Sequence, residues 1–276
     1  MNRNATGAAV IDKMLDVAEL VAEAADGMSA SEIADRTGLP RPTVYRLLSA
    51  LARRGYLVVG PDRRIRIGLS FMRLGSRVHI VDSLSEVGRP LLWDLVKETS
   101  CSSAQIAVLN ETVAAFVERA SLPGTSFQLD RRPGDFVPLY CTALGKVLLA
   151  QLPIEEARAL LGVVEFEKRT PSTPIDPDAV MAELVETRRQ GYATSVAEYS
   201  DDVWSVAAAL PLGVSGVRLA VGISEHMWRY SPQRLHSVAH SVAQAAARLG
   251  SALADRARQR DADTGPFGTE EDEVLS

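Results

Sequence analysis

The arginines between Ser29 and Gly68 are the residues of this chain whose chemistry is easiest to define. This segment holds eight arginines and three acidic residues, a net charge of +5, whereas the whole chain of 276 residues carries −5. Guanidinium groups bind phosphates and base edges, so a basic segment in an acidic chain is typical of a nucleic-acid-binding module. We expect the contacts with duplex DNA to come from Arg41, Pro42, Thr43, Tyr45, Arg46, Arg53, Arg63 and Arg64.

The elements predicted around these residues follow the order of a winged helix-turn-helix. Gly38 can take the left-handed conformation that ends one helix, and Pro42 suits the first turn of the next. Apolar residues at helical spacing predict the buried face of that second helix: Val44, Leu47, Leu48 and Leu51. Two short strands around Gly60-Pro61-Asp62 would form the wing. In such a module the front of the second helix contacts bases and the wing contacts the DNA backbone or minor groove. The alternative is a winged helix that binds another protein.

Length and composition limit the remaining possibilities. A chain of 276 residues predicts two domains, and a hydrophobic fraction of 46% is ordinary for a globular protein. No apolar run approaches the roughly 18 residues of a membrane span, and the N-terminus has no signal-peptide core. The two cysteines, Cys101 and Cys141, form neither a disulfide framework nor a zinc set. We therefore expect a cytoplasmic protein that does not enter a membrane.

Four segments are predicted along the chain. They are a DNA-binding winged helix-turn-helix at 1–68, a linker helix at 69–85, a second domain at 86–258 and an acidic tail at 259–276. In the second domain we expect a hairpin, several helices and three further strands, so the fold class is α+β. From Asp261 onward the chain has six acidic residues and no Lys or Arg, which favours disorder.

A second informative stretch runs from Asp135 to Ala150. It predicts a loop that leads into a helix, with Thr142 near the N-terminus and small residues in the first turn. Such a helix start presents free backbone N–H groups and the positive end of the helix dipole to an anion. The alternative is an ordinary capped helix.

Three segments together resemble the IclR family of bacterial transcriptional regulators. They are GLPRPTVYRLLSALARRGYL (38–57), VPLYCTALGKVLLAQLP (137–153) and RRQGYATSVAEYSDDVWSVAAALP (188–211), and the match covers nearly the whole chain apart from the acidic tail. The first segment is shared with many regulators, whereas the other two are more specific. The resemblance implies a winged helix-turn-helix joined by a linker helix to a GAF-like α/β domain with a curved antiparallel sheet.

The resemblance also implies a function. Such a protein is a ligand-responsive regulator of catabolic genes, here expected to be a repressor, that binds palindromic operators as a homodimer or a dimer of dimers. Its effector would be a small organic or aromatic acid, and no cofactor is implied. The effector-binding positions carried over are Leu139, Thr142, Ala143, Leu144, Gly145, Ser195, Glu198, Ser205, Gly222 and Ser224. The chain departs from the family at Ser195 and Ser205, where an acid and a cysteine are frequent, and at Asp202, where glycine is usual.

Two other functions remain open at this point. The second domain could serve only assembly, in which case core side chains would fill the space beside the Thr142 helix. An enzyme would need a base beside Cys101 or Cys141, or a metal at His236 and His240. The sequence contains no HExxH motif and no glycine-rich phosphate loop of Walker or Rossmann type. We therefore expect no catalytic residue, no metal site and no cofactor.

Overall fold

The computed structural model describes residues 3–75, 84–122, 132–211 and 217–263. The chain divides into two compact units, Met1–His79 and Ile80–Ser276. The division falls inside the predicted linker at 69–85. A short helix, Ser70–Gly75, covers part of that linker, and residues 76–83 lie outside the described part of the chain.

The first unit is a winged helix-turn-helix, as predicted. Its elements are α1 (Arg3–Glu23), α2 (Ala30–Thr37), α3 (Arg41–Arg53), β1 (Leu57–Val59), β2 (Ile65–Ile67) and α4 (Ser70–Gly75). The two strands pair antiparallel with Leu57 opposite Ile67, and Met28 adds a single bridge to Ile65.

Local signals in the sequence fix this unit. The Ser29 side chain accepts a hydrogen bond from the Glu32 N–H, and the Glu32 carboxylate accepts one from the Ser29 N–H, which is a complete capping box. Gly38 ends α2 with a φ of 66°, in the left-handed region that glycine tolerates. The predicted apolar face of α3 is buried against α1, α2 and the wing: Val44, Leu47, Leu48 and Leu51 pack with Val17, Val21, Ile33 and Leu57.

The second unit is an α/β domain built on one antiparallel sheet. The described part of this unit begins with a π-helical turn (Leu84–Gly88). The elements that follow, in chain order, are α5 (Arg89–Thr99), β3 (Ser103–Asn110), β4 (Val113–Ser121), β5 (Phe136–Pro138), α6 (Ala143–Ala150), α7 (Ile154–Val163), α8 (Pro177–Gln190), β6 (Ala193–Val196), β7 (Val203–Ala209), β8 (Leu219–His226), a 3₁₀ turn (Met227–Arg229) and α9 (Pro232–Asp263). The strand order is β5-β4-β3-β8-β7-β6, and the sheet is curved. The predicted hairpin and three later strands are thus confirmed.

Helices cover both faces of this sheet. Along β8, Val221 and Ile223 belong to the core shared with α5 and α9, whereas Ala220 belongs to the core on the α6 face. The α6 face carries small residues, and Gly222 is so close to α6 that an added Cβ would lie 3.2 Å from Cδ2 of Leu144. Small side chains on this face therefore let α6 lie directly against the strands.

Two stretches differ from the sequence prediction. The loop expected before α6 contains β5, which pairs with β4 at the edge of the sheet. Pro138 has no backbone N–H to donate, and an edge strand tolerates this because one of its sides has no neighbouring strand. Helix α9 continues to Asp263, five residues beyond the predicted end at Arg258, into the segment expected to be disordered. The rest of the predicted tail, 264–276, lies outside the described residues. Within the described ranges, no helix is both long and apolar enough to cross a membrane.

Candidate functional site

The front of α3 presents an exposed basic face. Arg41, Pro42, Tyr45 and Arg46 are exposed, and 60% of the Tyr45 surface is open to solvent. Thr43 on the same face is half-buried, and Arg53 is exposed at the C-terminal end of the helix. The buried leucines of α3 hold this face outward, so the sequence-predicted residues of α3 lie on one accessible surface.

The wing arginines differ in what they contact. Arg63 is exposed at the turn between β1 and β2. The Arg64 guanidinium instead points inward, where its Nη2 donates to the Gly27 carbonyl at 2.7 Å and its Nε lies 3.1 Å from the Asp26 carbonyl. Arg64 therefore fastens the wing to the turn after α1, although the sequence placed it among the DNA contacts. Arg66 donates to Asp62 at 2.6 Å, and this hydrogen bond holds the pKa of Asp62 well below its usual value.

In the second unit, a cavity lies between the start of α6 and the sheet. Its empty space is about 500 Å³, a figure that includes the open solvent at its mouth. The lining residues are Phe116, Val137, Thr142, Ala143, Leu144, Ser195, Tyr199, Val203, Ser205, Val206, Ile223 and Ser224. Six of the ten predicted effector positions are among them, and none of these described lining residues carries a formal charge. The cavity is therefore apolar with hydroxyl groups.

The three serines of this lining form a row across three strands. Ser195 on β6 lies opposite Ser205 on β7, and Ser205 lies opposite Ser224 on β8. Directly paired residues share a face of the sheet, so the three side chains lie side by side. The Ser195 hydroxyl donates to the Cys141 carbonyl at 3.1 Å, just before α6. Because a hydroxyl both donates and accepts, this row can bind either type of polar group.

Helix α6 brings its N-terminus to the same cavity. Thr142 is the N-cap, and its hydroxyl donates to the Pro138 carbonyl at 2.7 Å and accepts the Gly145 N–H at 3.1 Å. Ala143 and Leu144, the first two helical residues, line the cavity. The predicted helix start is therefore both capped and placed beside an open space.

Three other predicted positions shape the cavity without lining it. A Cβ on Gly145 would lie 2.5 Å from the carbonyl oxygen of Leu139, which is fully buried. A Cβ on Gly222 would lie 2.9 Å from the Val206 carbonyl oxygen and 3.2 Å from Leu144. Each glycine allows two backbone segments to lie close together. In the structure, Leu139, Gly145 and Gly222 therefore have a packing role.

Glu198 is placed in a buried ion-pair cluster beside the cavity. Lys146, on α6, is 2% exposed, and its Nζ lies 2.8 and 2.9 Å from the two carboxylate oxygens of Glu198 and 2.7 Å from Glu183 on α8. Burial raises the pKa of Glu198, and Lys146 opposes that change. The Glu198 carboxylate, which the sequence predicted as a ligand contact, is thus bound to Lys146.

The turn between β6 and β7 carries the predicted Glu198 and also Tyr199, a lining residue that the sequence did not predict. The Thr170 hydroxyl donates to the Ala197 carbonyl and the Thr173 hydroxyl to the Glu198 carbonyl, both at 2.6 Å. These bonds hold Ala197 at a φ of 55° and position Tyr199, which lines the cavity. Asp202 is exposed in this turn and hydrogen-bonds to Ser200, so its charge does not line the cavity.

Comparison with known proteins decides the family. The family model described as the bacterial transcriptional regulator IclR C-terminal domain matches residues 77–251, and the IclR helix-turn-helix domain matches residues 10–61. The chain belongs to the IclR family. As an IclR protein it is a helix-turn-helix transcriptional regulator, and the named relatives are regulators rather than enzymes.

Several relatives match this IclR chain over most of their length. The HTH-type transcriptional regulator BhcR of Paracoccus denitrificans is 29% identical, with 91% of this chain and 89% of BhcR covered. The HTH-type transcriptional repressor AllR of Klebsiella pneumoniae is 27% identical, with 90% of each covered. An IclR homolog from Microbacterium hydrocarbonoxydans, solved as a complex with 4-hydroxybenzoate, superposes with a TM-score of 0.75 at 23% identity, over 89% of this chain and 99% of that one.

The two cysteines of this IclR chain lie in the core of the second unit. Cys101 and Cys141 are both buried, and burial raises the pKa of Cys141 to about 12, which disfavours the nucleophilic thiolate. Among the described residues, no group of three or more His, Cys, Asp or Glu side chains could hold a metal ion.

Proposed function

We propose that the protein is a ligand-responsive repressor of catabolic genes whose effector is a small organic or aromatic acid. The observation that carries this proposal is the cavity beside the start of α6, which is apolar, open and lined by hydroxyl groups. A pocket of this kind, with a few convergent polar groups, is the usual form of a small-molecule site. The helix-turn-helix supplies the second site, and coupling between the two would make DNA binding depend on the ligand.

The chemistry of the cavity supports an acid. The backbone N–H groups of Ala143 and Leu144 stand at the positive end of the α6 dipole, where a carboxylate is favoured. The serine row offers further donors, and Phe116, Val137 and Val203 suit a ring or an alkyl chain. The 4-hydroxybenzoate bound to the Microbacterium homolog and the repressor role in the name of AllR are consistent with this proposal.

The proposed DNA contacts follow from the exposed surface of the first unit. Arg41, Pro42, Thr43, Tyr45 and Arg46 at the front of α3 would reach base edges and the nearest phosphates, while Arg53 and Arg63 would contact the backbone. Arg64 would act indirectly, by holding the wing in place. Operator binding of this kind places the protein with the chromosome, in the cytoplasm.

A homo-oligomer on a palindromic operator completes the proposal. Helix α1 exposes Val10, Ile11 and Leu15, and the segment with α4 exposes Leu69 at 77% and Met72 at 70%. Runs of exposed apolar side chains favour association, here of identical chains as a dimer or a dimer of dimers. Two copies of the helix-turn-helix would then read two halves of one symmetric site.

Fluorescence anisotropy tests the proposed function. The full-length protein is titrated onto labelled DNA from upstream of its own gene, at several salt concentrations, with and without small carboxylates and aromatic acids. We expect tight, salt-dependent binding that at least one acid weakens. Tight binding that no acid changes would favour the alternative, a second unit that serves only assembly. Binding no stronger than to unrelated DNA, at every salt concentration, would refute the proposal that this DNA contains an operator.

A further inference from the structure

Gln105 is a buried polar side chain that the proposed function does not yet use. It lies on β3 with 2% of its surface exposed. Its Nε2 donates to the Ser103 hydroxyl at 2.7 Å, which orients the amide. Its Oε1 is buried and has no hydrogen-bond partner among the described residues.

Strand register places Gln105 beside the cavity. Ala104 and Ile106, its neighbours on β3, belong to the core shared with α5 and α9, so Gln105 faces the opposite side, toward α6. Its cross-strand partner is Gly222, and Ser103 lies opposite Ser224, which lines the cavity. Because Gly222 has no side chain, Leu144, which lines the cavity, packs directly over it, so Gln105 lies just behind the cavity wall.

The amide oxygen of Gln105 lacks the hydrogen-bond donor that a buried acceptor usually has. Leaving a buried acceptor without a hydrogen bond costs about 1–3 kcal/mol, and the large majority of buried polar groups in native structures have a partner. A second glutamine, Gln151, also has an Oε1 without a partner, but that residue is half-exposed at the C-terminal end of α6, whereas the residues of this helix that line the cavity lie at its N-terminal end. Gln105 differs from Gln151 in its burial and in its position on β3, between β4 and β8, which contribute the lining residues Phe116 and Ser224.

We propose that Gln105 is a specificity-determining residue of the cavity, whose Oε1 accepts a hydrogen bond from a hydroxyl group of the effector. The inference rests on the proposed effector role. The ligand class that it selects is a hydroxy-substituted acid, with the carboxylate at the start of α6 and the hydroxyl at Gln105. An ether at the same ring position can only accept, so it would leave Oε1 unpaired.

Isothermal titration calorimetry on the full-length protein tests this inference. The probes are benzoate, the three monohydroxybenzoates and the three methoxybenzoates. We expect wild-type protein to bind one hydroxybenzoate about 3- to 10-fold more tightly than its methoxy counterpart, the effect of one neutral hydrogen bond. Gln105→Leu should abolish that preference, whereas Gln151→Leu, the matched control, should retain it.

Other outcomes would overturn the inference in distinguishable ways. A preference for the hydroxy compound that survives in Gln105→Leu would exclude Gln105 as its source while leaving the effector proposal intact. If wild-type protein binds none of the seven probes, the aromatic-acid effector and the hydroxy acid proposed here both fail. Thermal unfolding without ligand gives a further check: removing an unpaired amide should not lower the midpoint, and a large loss in both Gln105→Leu and Gln105→Met would show that the amide is structural.

Discussion

Replacing Lys146 by methionine tests whether the buried ion-pair cluster holds α6 against its neighbours. Methionine keeps the length of the apolar stem but removes the charge that bridges Glu198 and Glu183. Removing one partner of a buried ion pair costs about 3–5 kcal/mol, because the other charge is left buried and unpaired. Here the Glu198 side chain is 14% exposed and that of Glu183 is 45% exposed, so water recovers part of the loss. We therefore expect the lower end of the range, about 3 kcal/mol.

Thermal unfolding followed by tryptophan fluorescence measures this effect in the relevant unit. The three tryptophans of the chain, Trp93, Trp204 and Trp228, all lie in the second unit. For a unit of this size, about 3 kcal/mol corresponds to a fall in midpoint of roughly 6–12 °C. Glu183→Gln is the matched control, because its half-exposed carboxylate should contribute less than about 1 kcal/mol. The double variant Lys146→Met/Glu198→Leu should recover much of the loss, since no buried charge then lacks a partner.

The loss in Lys146→Met should also depend on pH. Burial already raises the pKa of Glu198 above its ordinary value of 4.5, and removing Lys146 takes away the group that opposes this rise. The folded variant then holds a proton at pH values where the unfolded chain has released it. Its stability therefore falls as the pH rises from about 4.5 through the raised pKa, and the penalty should be larger at pH 8 than at pH 5. A midpoint within 2 °C of wild type at pH 8, or an equal loss at both pH values, would refute the reasoning.

Three further predictions concern single residues. Arg46→Ala should weaken operator binding by about 1–3 kcal/mol if Arg46 contacts a base, whereas Arg158→Ala, which breaks an exposed ion pair in the second unit, should leave anisotropy titrations unchanged. Arg64→Ala should lower the unfolding midpoint of the helix-turn-helix unit, measured by circular dichroism. An unchanged midpoint would show that Arg64 does not stabilise the wing and would favour a direct contact with DNA. Gly145→Ala should cost about 1–3 kcal/mol of stability through overlap with Leu139, which a tryptophan-detected urea titration would detect. A variant as stable as wild type would show that α6 can move away.

The first unit could be predicted closely because its determinants are local. The capping residue Ser29, the left-handed Gly38 and the helical spacing of the apolar residues in α3 each act within a few positions of the chain. The role of Arg64 is different, because its partners are the carbonyls of Asp26 and Gly27, more than 35 positions away. No spacing rule separates an arginine that binds DNA from one that binds its own backbone.

The cavity could be predicted only in part, because it is assembled across strands. Ser195, Ser205 and Ser224 come from three strands and become neighbours through register, which a single sequence does not contain. Tyr199 was missed because its position depends on a turn held by Thr170 and Thr173. One usable signal was present: alternate residues of β7 share a face, so Ser205 implied Val203 as a second lining residue.

The positions predicted at Gly145 and Glu198 have a common feature, since both make internal contacts in the structure. A glycine in the first turn of a helix can admit a ligand or a neighbouring backbone, and a carboxylate near a cavity can bind a ligand or a lysine. In each case the chain supplies the partner itself, through Leu139 and Lys146. Both internal contacts fix α6, whose first residues line the cavity. The residues that carry the strongest sequence signal thus hold the wall of the site, and the serine row is among the polar groups left to line it.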